Sequence, residues 1–485
     1  MHDNSPPATP LCRLLGCRHP LLLAGMGGVS RAELVAAVSE AGAFGFLGMV
    51  REPQALIERE VAQVRARTPA PFGVNLIPAA TPAPLLRGQI DLCIALRVPV
   101  VGLFWDVDAG VVARLRAAGI TVVHQVGTVQ DALQAQEAGA QALIAQGVEA
   151  GGHVRGRLPL AELLAQVLAV ASVPVAAAGG LADGRGVARV LAQGAQAAVL
   201  GTALIATHES FAHDFHKQRL VAAQAGDTVL TEDFHIHWPP HAAVRVLASS
   251  VTRRERGDPF TGARTVVGDE EGRPIYLFST DSPLRSMTGD FEAMALYAGQ
   301  GVGQVQAVEP AAGTVRRILA EAAAHARLLD DAPVAVASPV CYAADAERER
   351  NAPVIARLDE LLEAERAGAR VTLRSSAEAQ DPALRALIDA IHRDEVRWCG
   401  LLMQAIRTLQ GTPSARTGDF YGKAMAVADL RERMAFLNRG QGWVARKLRE
   451  LLPLVEDDGI RAGLQEMLRS HEENLDKVNA QLRKE

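Results

Sequence analysis

Short apolar runs bounded by glycine or proline recur eight times in the first 200 residues, and each predicts a buried strand. Amphipathic stretches such as residues 31–42 and 128–139 lie between the runs and end in glycine, a frequent helix stop signal. This period predicts an α/β chain folded as a (β/α)8 TIM barrel, with a doubly wound open sheet as the alternative. The runs begin at Pro20, Ala43, Phe72, Val98, Thr121, Ala142, Pro174 and Ala197.

The pattern changes along the rest of the chain and divides it into domains. Residues 1–204 and 291–330 are expected to form the barrel, and residues 205–290 an inserted lid or substrate domain. Residues 331–350 contain the run "APVAVASPVCYAA", which has no helical face and is interpreted as a linker. Residues 351–485 predict an all-α four-helix bundle. Its helices are expected at residues 351–377, 382–409, 424–454 and 457–484.

Composition narrows the class of protein. Hydrophobic residues make up 49% of the chain and the net charge is −5, with no basic stripe of the kind that binds nucleic acid. No uncharged apolar run is long enough to suggest a membrane span, and the start lacks the features of a secretory signal, so a cytoplasmic location is expected. The five cysteines are scattered and are expected to be reduced thiols.

Candidate chemistry lies where strands end. The stretch "AQGVEAGGH" places His153 after Gly151 and Gly152 in the enlarged loop behind the sixth strand, and histidine exchanges protons near neutral pH. Barrel enzymes bind phosphate at the loops after the seventh and eighth strands. Those loops contain Gly179, Gly180 and Gly201, whose bare backbone N–H groups predict a phosphate cradle. Tight turns without a ligand are the alternative.

Six motifs then point to one family. They occur in order over residues 10–328: "AGMGGVS" (24–30), "FGVNL" (72–76), "AQGVEAGGH" (145–153), "AAGGLADGRG" (177–186), "LGTALIATHES" (200–210) and "EAMALYAGQGVG" (292–303). Together they resemble the nitronate monooxygenase family, formerly called 2-nitropropane dioxygenases. The resemblance implies non-covalent FMN and the oxidation of alkyl nitronates or nitroalkanes by O2 to a carbonyl compound and nitrite.

The resemblance also implies roles for particular residues. His153 matches the active-site histidine, which acts as a base or holds the nitronate. The chain departs from the family at Gly25, where proline is usual, and at Trp105 and Asp106, where small or hydroxyl residues are common. The expected cofactor-binding residues are Gly25, Met26, Asn75, Gln125, Gln146, Gly147, Gly151, Gly152, Gly179, Gly180, Gly201, Thr202, Tyr297 and Gln300.

Two other functions remain open at this point. Flavin-dependent enoyl-thioester reductases, which use NAD(P)H, share the glycine-glycine-histidine pattern. Alternatively, the flavin barrel serves as a sensing or scaffold module for the helical domain. Should His153 not be the base, His124, beside Gln125, is the next candidate.

Metal binding is considered at two places. Six histidines lie between His208 and His241, but the segment is interpreted as a lid in preference to a zinc site. In the bundle, Glu363, Glu365, His392, Glu395, Glu432 and His471 resemble the ligand supply of ferritin-like di-iron proteins. The match is imperfect, because the order is His-x-x-Glu and occurs once. An interaction role for the bundle, including homo-oligomer formation, is therefore favoured over the di-metal site.

Overall fold

The computed structural model describes residues 8–239, 241–262, 264–330, 341–409, 411–414 and 416–482. Their contacts divide the chain into two compact units. The barrel unit comprises Met1–Leu164 and Val173–Pro333, and the helical unit comprises Ala165–Ser172 and Val334–Glu485, each within the described residues. None of the described helices combines the length and the apolar character needed to cross a lipid bilayer.

Eight parallel strands form a closed barrel, which confirms the predicted fold. Closure comes from the pairing of the first and last barrel strands, in which Leu22 is opposite Val199. The two-residue strand β7, Gly152–His153, pairs outside the barrel. The barrel strands are β1 (Leu21–Leu23), β2 (Phe44–Gly48), β3 (Phe72–Leu76), β4 (Val100–Leu103), β5 (Thr121–Val126), β6 (Ala142–Gln146), β8 (Val175–Ala178) and β9 (Ala197–Leu200).

Local sequence signals set the limits of several barrel helices. The side chains of Asp108, Thr128 and Asp183 each accept a hydrogen bond from a backbone N–H in the first turn of the following helix. Gly139 ends one helix in the left-handed conformation, with φ of 103°. The helices of this part of the chain are α1 (Pro10–Leu15), α2 (Ala32–Glu40), α3 (Gln54–Arg67), α4 (Ala83–Ala95), α5 (Ala109–Ala117), α6 (Val129–Ala138), α7 (Leu160–Val170), α8 (Gly184–Ala192), α9 (Thr202–Ile205), α10 (Asp214–Ala222) and α11 (Ala311–Asp330).

Helix α1 closes one end of the barrel. Leu11 and Leu15 pack in the same core cluster as Phe44, Val100 and Ala197, which lie at the beginnings of barrel strands. The apolar side chains of α1 therefore fill the N-terminal end of the barrel interior. Ligand access is left to the opposite end, where the strands finish and the candidate residues lie.

Two small antiparallel sheets follow the barrel strands, within the segment 205–290 predicted to be a lid. One sheet contains β10 (Thr228–Thr231) and β11 (Val244–Leu247) together with β7, and the other contains β12 (Val266–Glu270), β13 (Arg273–Tyr276) and β14 (Met287–Gly289). Contact clustering places this segment in the same compact unit as the barrel. The apolar core beneath the sheets includes Phe234, Val244 and Ala295.

Beyond the end of α7, the described residues of the helical unit form four long helices and one short one. They are α12 (Cys341–Glu378), α13 (Pro382–Thr408), α14 (Phe420–Met425), α15 (Leu430–Leu451) and α16 (Asp458–Leu482). Helix α12 packs against α13 and α15, and α16 packs against the same two helices. Short 3-10 segments occur along the whole chain, at Pro78–Ala80, Ala225–Asp227, Phe291–Ala293, Gln300–Gln304 and Leu452–Leu454.

Two helix starts differ from the sequence pattern. Helix α12 begins at Cys341, ten residues before the predicted start at residue 351, and contains Pro353 in its interior. Residues 341–350 are thus helical and not linker, while residues 331–340 lie outside the described residues. Helix α15 begins at Leu430 and not at residue 424, because the Asp429 side chain caps it by accepting from the Glu432 backbone N–H at 2.9 Å.

The interior of the helical unit is polar at one level. Each long helix contributes one buried side chain there: Glu365, Glu395, Gln441 and His471. His471 Nε2 lies 3.3 Å from Glu365 Oε1, His471 Nδ1 lies 2.7 Å from Gln441 Oε1, and Gln441 donates to Glu395. Burial raises the pKa of Glu365 to about 8 and, together with the Glu365 charge, raises the pKa of Glu395. These carboxyl groups therefore favour the protonated form.

The di-metal interpretation is not supported by this arrangement. Imidazole Nδ1 of His392 lies 3.0 Å from the Ala369 carbonyl oxygen, and Glu432 is exposed in the first turn of α15. Glu363 accepts from Ser414 Oγ at 2.6 Å. Across the described part of the chain, no three His, Cys, Asp or Glu side chains form a group that fits a metal ion. Helix periodicity alone did not reveal which of these side chains share one level.

Glu365→Gln is expected to stabilise the protein above neutral pH. The pKa of Glu365 is about 8 in the folded chain and near the usual 4.5 in the unfolded chain. Between these two pH values, the folded chain keeps a proton that the unfolded chain has released. The stability from this proton is complete below about pH 4.5 and is lost as the pH rises through 8. The variant should raise the free energy of unfolding at pH 8–9 by roughly 2–4 kcal/mol.

Denaturant unfolding of the full chain, followed by circular dichroism from pH 5 to pH 9, measures this effect. Glu432→Gln is the matched control, because Glu432 is exposed on a helix of the same unit. Parallel pH profiles for wild type and Glu365→Gln would contradict the prediction.

Candidate active site at the barrel mouth

A cavity of about 1380 Å³ lies at the C-terminal ends of the barrel strands. Its walls are the loops that follow the strands, the segment 205–290 and the chain near Tyr297. Most of the residues expected from the sequence line it. These are Gly25, Met26, Asn75, Gln125, Gln146, Gly151, Gly152, His153, Gly179, Gly180, Gly201, Thr202 and Tyr297.

Gly147 and Gln300, also expected to bind the cofactor, are not among the described residues that line the cavity. The Gly147 backbone N–H donates to the Ala178 carbonyl at 2.9 Å, and a Cβ at Gly147 would lie 2.5 Å from Leu160. Gln300 donates its backbone N–H to the Glu149 carbonyl at 2.9 Å, while its neighbours Gly299 and Gly301 face the cavity. Gly147 and Gln300 therefore support the loop after β6 and do not line the cavity. The sequence motif does not distinguish supporting residues from lining residues.

The two glycine turns present bare main chain to the cavity. Gly179 and Gly180 have φ of +126° and +66°, which other residues rarely adopt. A Cβ at Gly201 would meet only ordinary contacts with Met26 and Ala24. Thr202 Oγ1 accepts from the Gly299 backbone N–H at 3.0 Å and so ties the late segment to these turns. Exposed backbone of this kind forms a concave site for a phosphate-sized anion.

His153 projects into a buried aromatic environment. Its imidazole stacks on Trp238 with ring centroids 3.5 Å apart and planes 12° from parallel, and Trp105 and Tyr297 lie within 6.3 Å. Nε2 is buried and has no hydrogen-bond partner among the described residues. Burial lowers the pKa of His153 well below its usual 6.5, and the charge of Arg51 acts in the same direction. The imidazole is therefore neutral near pH 7, with one nitrogen free to accept a proton.

Backbone hydrogen bonds fix the position of His153. In the lid sheet, His153 pairs with Val244 and Gly152 with Arg245. Gln146, at the end of β6, donates from Nε2 to the His153 carbonyl at 2.9 Å and accepts at Oε1 from the Arg155 N–H at 3.3 Å. The Gln146 amide thus orients the histidine loop.

Trp105 and Asp106, two departures from the family pattern, pack behind the cavity wall beside His153. Trp105 contacts Trp238 edge to face at 5.6 Å, and the Arg155 guanidinium lies 5.2 Å from the Trp105 ring centre. Asp106 pairs with Arg155 at 3.0 Å. The two unusual residues therefore support the wall beside His153.

The other histidine candidates have structural surroundings. His124 alternates with Gln125 along β5, is fully buried, and holds Nδ1 2.9 Å from the Gln125 carbonyl; it is not among the residues that line the cavity. Of the histidines between 208 and 241, His237 lines the cavity and His216 contacts the Tyr297 carbonyl at 3.1 Å. As far as the chain is described, none of them joins a metal-binding group.

Three residues at the site were missed from the sequence: Arg51, Trp238 and Thr280. Arg51 follows the β2 strand and donates to Thr280 Oγ1 at 3.1 Å, and Tyr297 donates its hydroxyl to the Thr280 carbonyl at 2.6 Å. Trp238 lies between histidines in "HIHWPPH", where the histidine spacing is the recognisable pattern and gives no signal for the tryptophan. The only available signal for Arg51 was its place just after a strand end.

A closed barrel with a buried imidazole and glycine turns at its mouth defines an enzyme whose active site lies at the C-terminal ends of the strands. The nitronate monooxygenase family model matches residues 8–321, and the chain belongs to this family of flavin-dependent oxidoreductases. Residues 352–480 match DUF6306, a domain of unknown function. The family expected from the six motifs is thus confirmed.

Similar proteins are named for different activities. A Rhodococcus jostii (3aS,4S,5R,7aS)-5-hydroxy-7a-methyl-1-oxo-octahydro-1H-indene-4-carboxyl-CoA dehydrogenase is 36% identical over 223 residues, which are 46% of this chain and 62% of the relative's length. The structure of a nitroalkane oxidase from Streptomyces ansochromogenes is 32% identical, with a TM-score of 0.54, and covers 66% of this chain and 99% of that one. FabK from Thermotoga maritima is 28% identical, with a TM-score of 0.55, covering 67% and 98%.

Gln146→Leu is expected to destabilise the barrel unit. The change leaves the His153 carbonyl and the Arg155 N–H without the amide that both contact, and a buried unsatisfied polar group costs about 1–3 kcal/mol. The melting temperature should therefore fall by several degrees. Gln125→Leu, at the end of the adjacent strand, is the control for loss of an amide at the cavity wall. Equal melting temperatures for wild type and Gln146→Leu would refute the positioning role.

Proposed function

We propose that this protein oxidises alkyl nitronates, and the nitroalkanes from which they form, with FMN as cofactor and O2 as oxidant, giving a carbonyl compound and nitrite. The observation that carries the proposal is His153, a neutral histidine that lines the cavity and whose Nε2 is buried without a hydrogen-bond partner among the described residues. Membership of the nitronate monooxygenase family supports the same reaction. The likeness to a nitroalkane oxidase structure is consistent with it.

The cavity residues fit FMN. Gly179, Gly180, Gly201 and Thr202 offer main-chain groups for the phosphate, since glycine at 179, 180 and 201 leaves no side chain in front of the backbone. Asn75 is held by a hydrogen bond from Nδ2 to the Gly102 carbonyl at 3.3 Å, so it presents a fixed edge to the cavity. FMN, when bound, supplies the electron acceptor that O2 reoxidises.

His153 would accept the proton that the substrate loses. A neutral nitroalkane must lose its α-proton before oxidation, and His153 lines the cavity with its Nε2 unpartnered among the described residues. Because the pKa of His153 is held well below 6.5, the base form persists at neutral pH and into mildly acidic solution. The stacked Trp238 ring covers the imidazole and limits the access of water.

A thioester-directed redox reaction is the second candidate. The Rhodococcus relative is named for a carboxyl-CoA substrate. The cavity also exceeds the usual 300–1,000 Å³ of a small-molecule site and extends past the mouth to residues of α3 and β13, including Arg59, Gln63 and Arg273. Such space suits a second co-substrate such as NAD(P)H beside an enoyl thioester.

Flavin content and anaerobic reduction test the proposed function. Purified protein should be yellow and should release FMN on denaturation. An alkyl nitronate alone should bleach the bound flavin, and O2 should restore it with release of nitrite. Bleaching by NADPH with no response to nitronate would favour thioester reduction. Bound flavin without turnover of either substrate would favour a sensing or scaffold module, and protein that cannot bind FMN would overturn the flavin assignment.

His153→Gln is expected to lower kcat/KM for a neutral nitroalkane by roughly 10²–10⁴-fold, the usual contribution of a positioned base. The loss should be smaller for the preformed nitronate, which arrives without the proton, and FMN should remain bound. His241→Asn is the control, because that histidine is exposed and pairs with Glu232 at 3.0 Å.

The wild-type pH profile gives a second measure of the same role. Since the base must be neutral and burial lowers its pKa, nitroalkane activity should persist below pH 6.5 instead of halving there. A variant that retains FMN and oxidises both substrate forms at the wild-type rate would exclude His153 as the base.

A further inference from the structure

The chain just after β2 is built to hold Arg51 at the cavity. Arg51 has φ of 59°, a left-handed conformation that is uncommon for residues other than glycine and is often found at functional sites. The fully buried Gln89 donates from Nε2 to the carbonyl oxygens of Met49 at 3.2 Å and Glu52 at 2.8 Å, one on each side of Arg51. The backbone is therefore fixed in a conformation that directs this side chain.

The Arg51 guanidinium lacks a counter-ion within the described part of the chain. The other arginines of the cavity wall each have a carboxylate within 4.0 Å, but no carboxylate in the described residues lies that close to Arg51. Arg51 Nε is buried without a hydrogen-bond partner. The paired arginines are Arg31 with Glu52, Arg59 with Glu60, Arg273 with Glu270, and Arg285 with Glu33.

Removing a cation from water without a partner is unfavourable, and an anionic ligand offsets that cost. Arg51 is close enough to the imidazole for its charge to disfavour the protonated form of His153. Its bond to Thr280 continues through the Thr280 carbonyl to the Tyr297 hydroxyl, and the Tyr297 ring lies 6.2 Å from the His153 ring. Arg51, the cation without a counter-ion among the described residues, and His153, the neutral base, therefore line the same cavity.

The phosphate cradle lies elsewhere at the mouth. Its glycine turns follow β8 and β9, whereas Arg51 follows β2 and is bonded to Thr280 in the segment that forms the lid sheets. An anion at Arg51 is thus a second anion, separate from a cofactor phosphate at the turns.

We propose that Arg51 binds the anionic group of the substrate and selects planar anions that carry their charge on two oxygens. The guanidinium fork matches such a group through two parallel N–H bonds. The aromatic rings of Trp238 and Tyr297 line the cavity beside a flat molecule, and Trp105 packs against Trp238. A nitronate has this shape and charge. That choice of substrate rests on the proposed function, but the selection of planar anions does not.

Substrate pairs that differ only in charge test the proposal. With Arg51→Met, KM for an alkyl nitronate should rise roughly 10–100-fold, the range expected for loss of a charge-assisted hydrogen bond. KM for the neutral parent nitroalkane should change less than about twofold. Arg51→Lys should recover part of the nitronate affinity, because it restores the charge without the fork.

Two further variants control for structural effects. Arg114→Met removes an exposed arginine of α5 that is paired with Asp91 and is not among the described residues lining the cavity, and it should leave both KM values unchanged. Thr280→Val removes the hydroxyl that orients Arg51 and should cause a smaller loss with the same preference for the anion. Equal losses for the anion and the neutral compound would overturn the proposal. So would a weakened FMN affinity in Arg51→Met, because it would assign the arginine to the cofactor.

Direct binding of nitrate separates this proposal from the proposed function. Nitrate is a planar anion, and its binding is measured by tryptophan fluorescence, since Trp238 lines the cavity and Trp105 packs against it. Wild type should bind nitrate at least about tenfold more tightly than Arg51→Met. This result would support Arg51 as the anion site even if the protein failed to oxidise nitronates. Equal nitrate affinity in the two proteins would overturn the proposal whatever reaction the enzyme performs.

Discussion

The short pairing of β7 with β11 determines the character of the cavity. It joins the loop after the sixth barrel strand to a sheet formed from residues nearly a hundred positions further along the chain. This pairing puts His153 beside Trp238 and buries the imidazole. Without it, the glycines at 151 and 152 would leave the histidine in a solvated loop with an ordinary pKa. The Gln146 amide reinforces the pairing from the barrel side.

Burial also determines which groups in the cavity carry a charge. In a chamber of low polarity a neutral imidazole is favoured over its protonated form, while a guanidinium stays charged. The outcome is a neutral base and a cation that no described carboxylate pairs with, both facing the same space. This combination suits a reaction in which a neutral molecule becomes an anion by losing a proton. Residues far apart in the sequence supply the base and the cation, and the segment 205–290 contacts both, through Trp238 at His153 and Thr280 at Arg51.

The interior of the helical unit differs from the cavity, because its buried polar groups contact one another. Its four long helices bury Glu365, Glu395, Gln441 and His471 at one level, where amide and imidazole contacts replace water. Raised carboxyl pKa values keep those acids protonated, which reduces the cost of burying them. Gly368 makes room for this cluster, since a Cβ there would lie 2.3 Å from a Glu395 carboxylate oxygen.

The sequence alone determined the barrel, its family and a set of residues that mostly line the cavity, because strand period, glycine turns and the histidine motif are local patterns. It also predicted the four long helices from their periodicity. Only the tertiary structure decided that Gly147 and Gln300 support the histidine loop, because adjacent loop residues face different ways in three dimensions. The same is true of Arg51 and Trp238, which are distant in the chain and carry no motif. In the helical unit, Glu365, Glu395 and His471 meet, whereas His392 and Glu432 have other surroundings. This depends on how each helix is rotated about its axis, which cannot be read from the residue types alone.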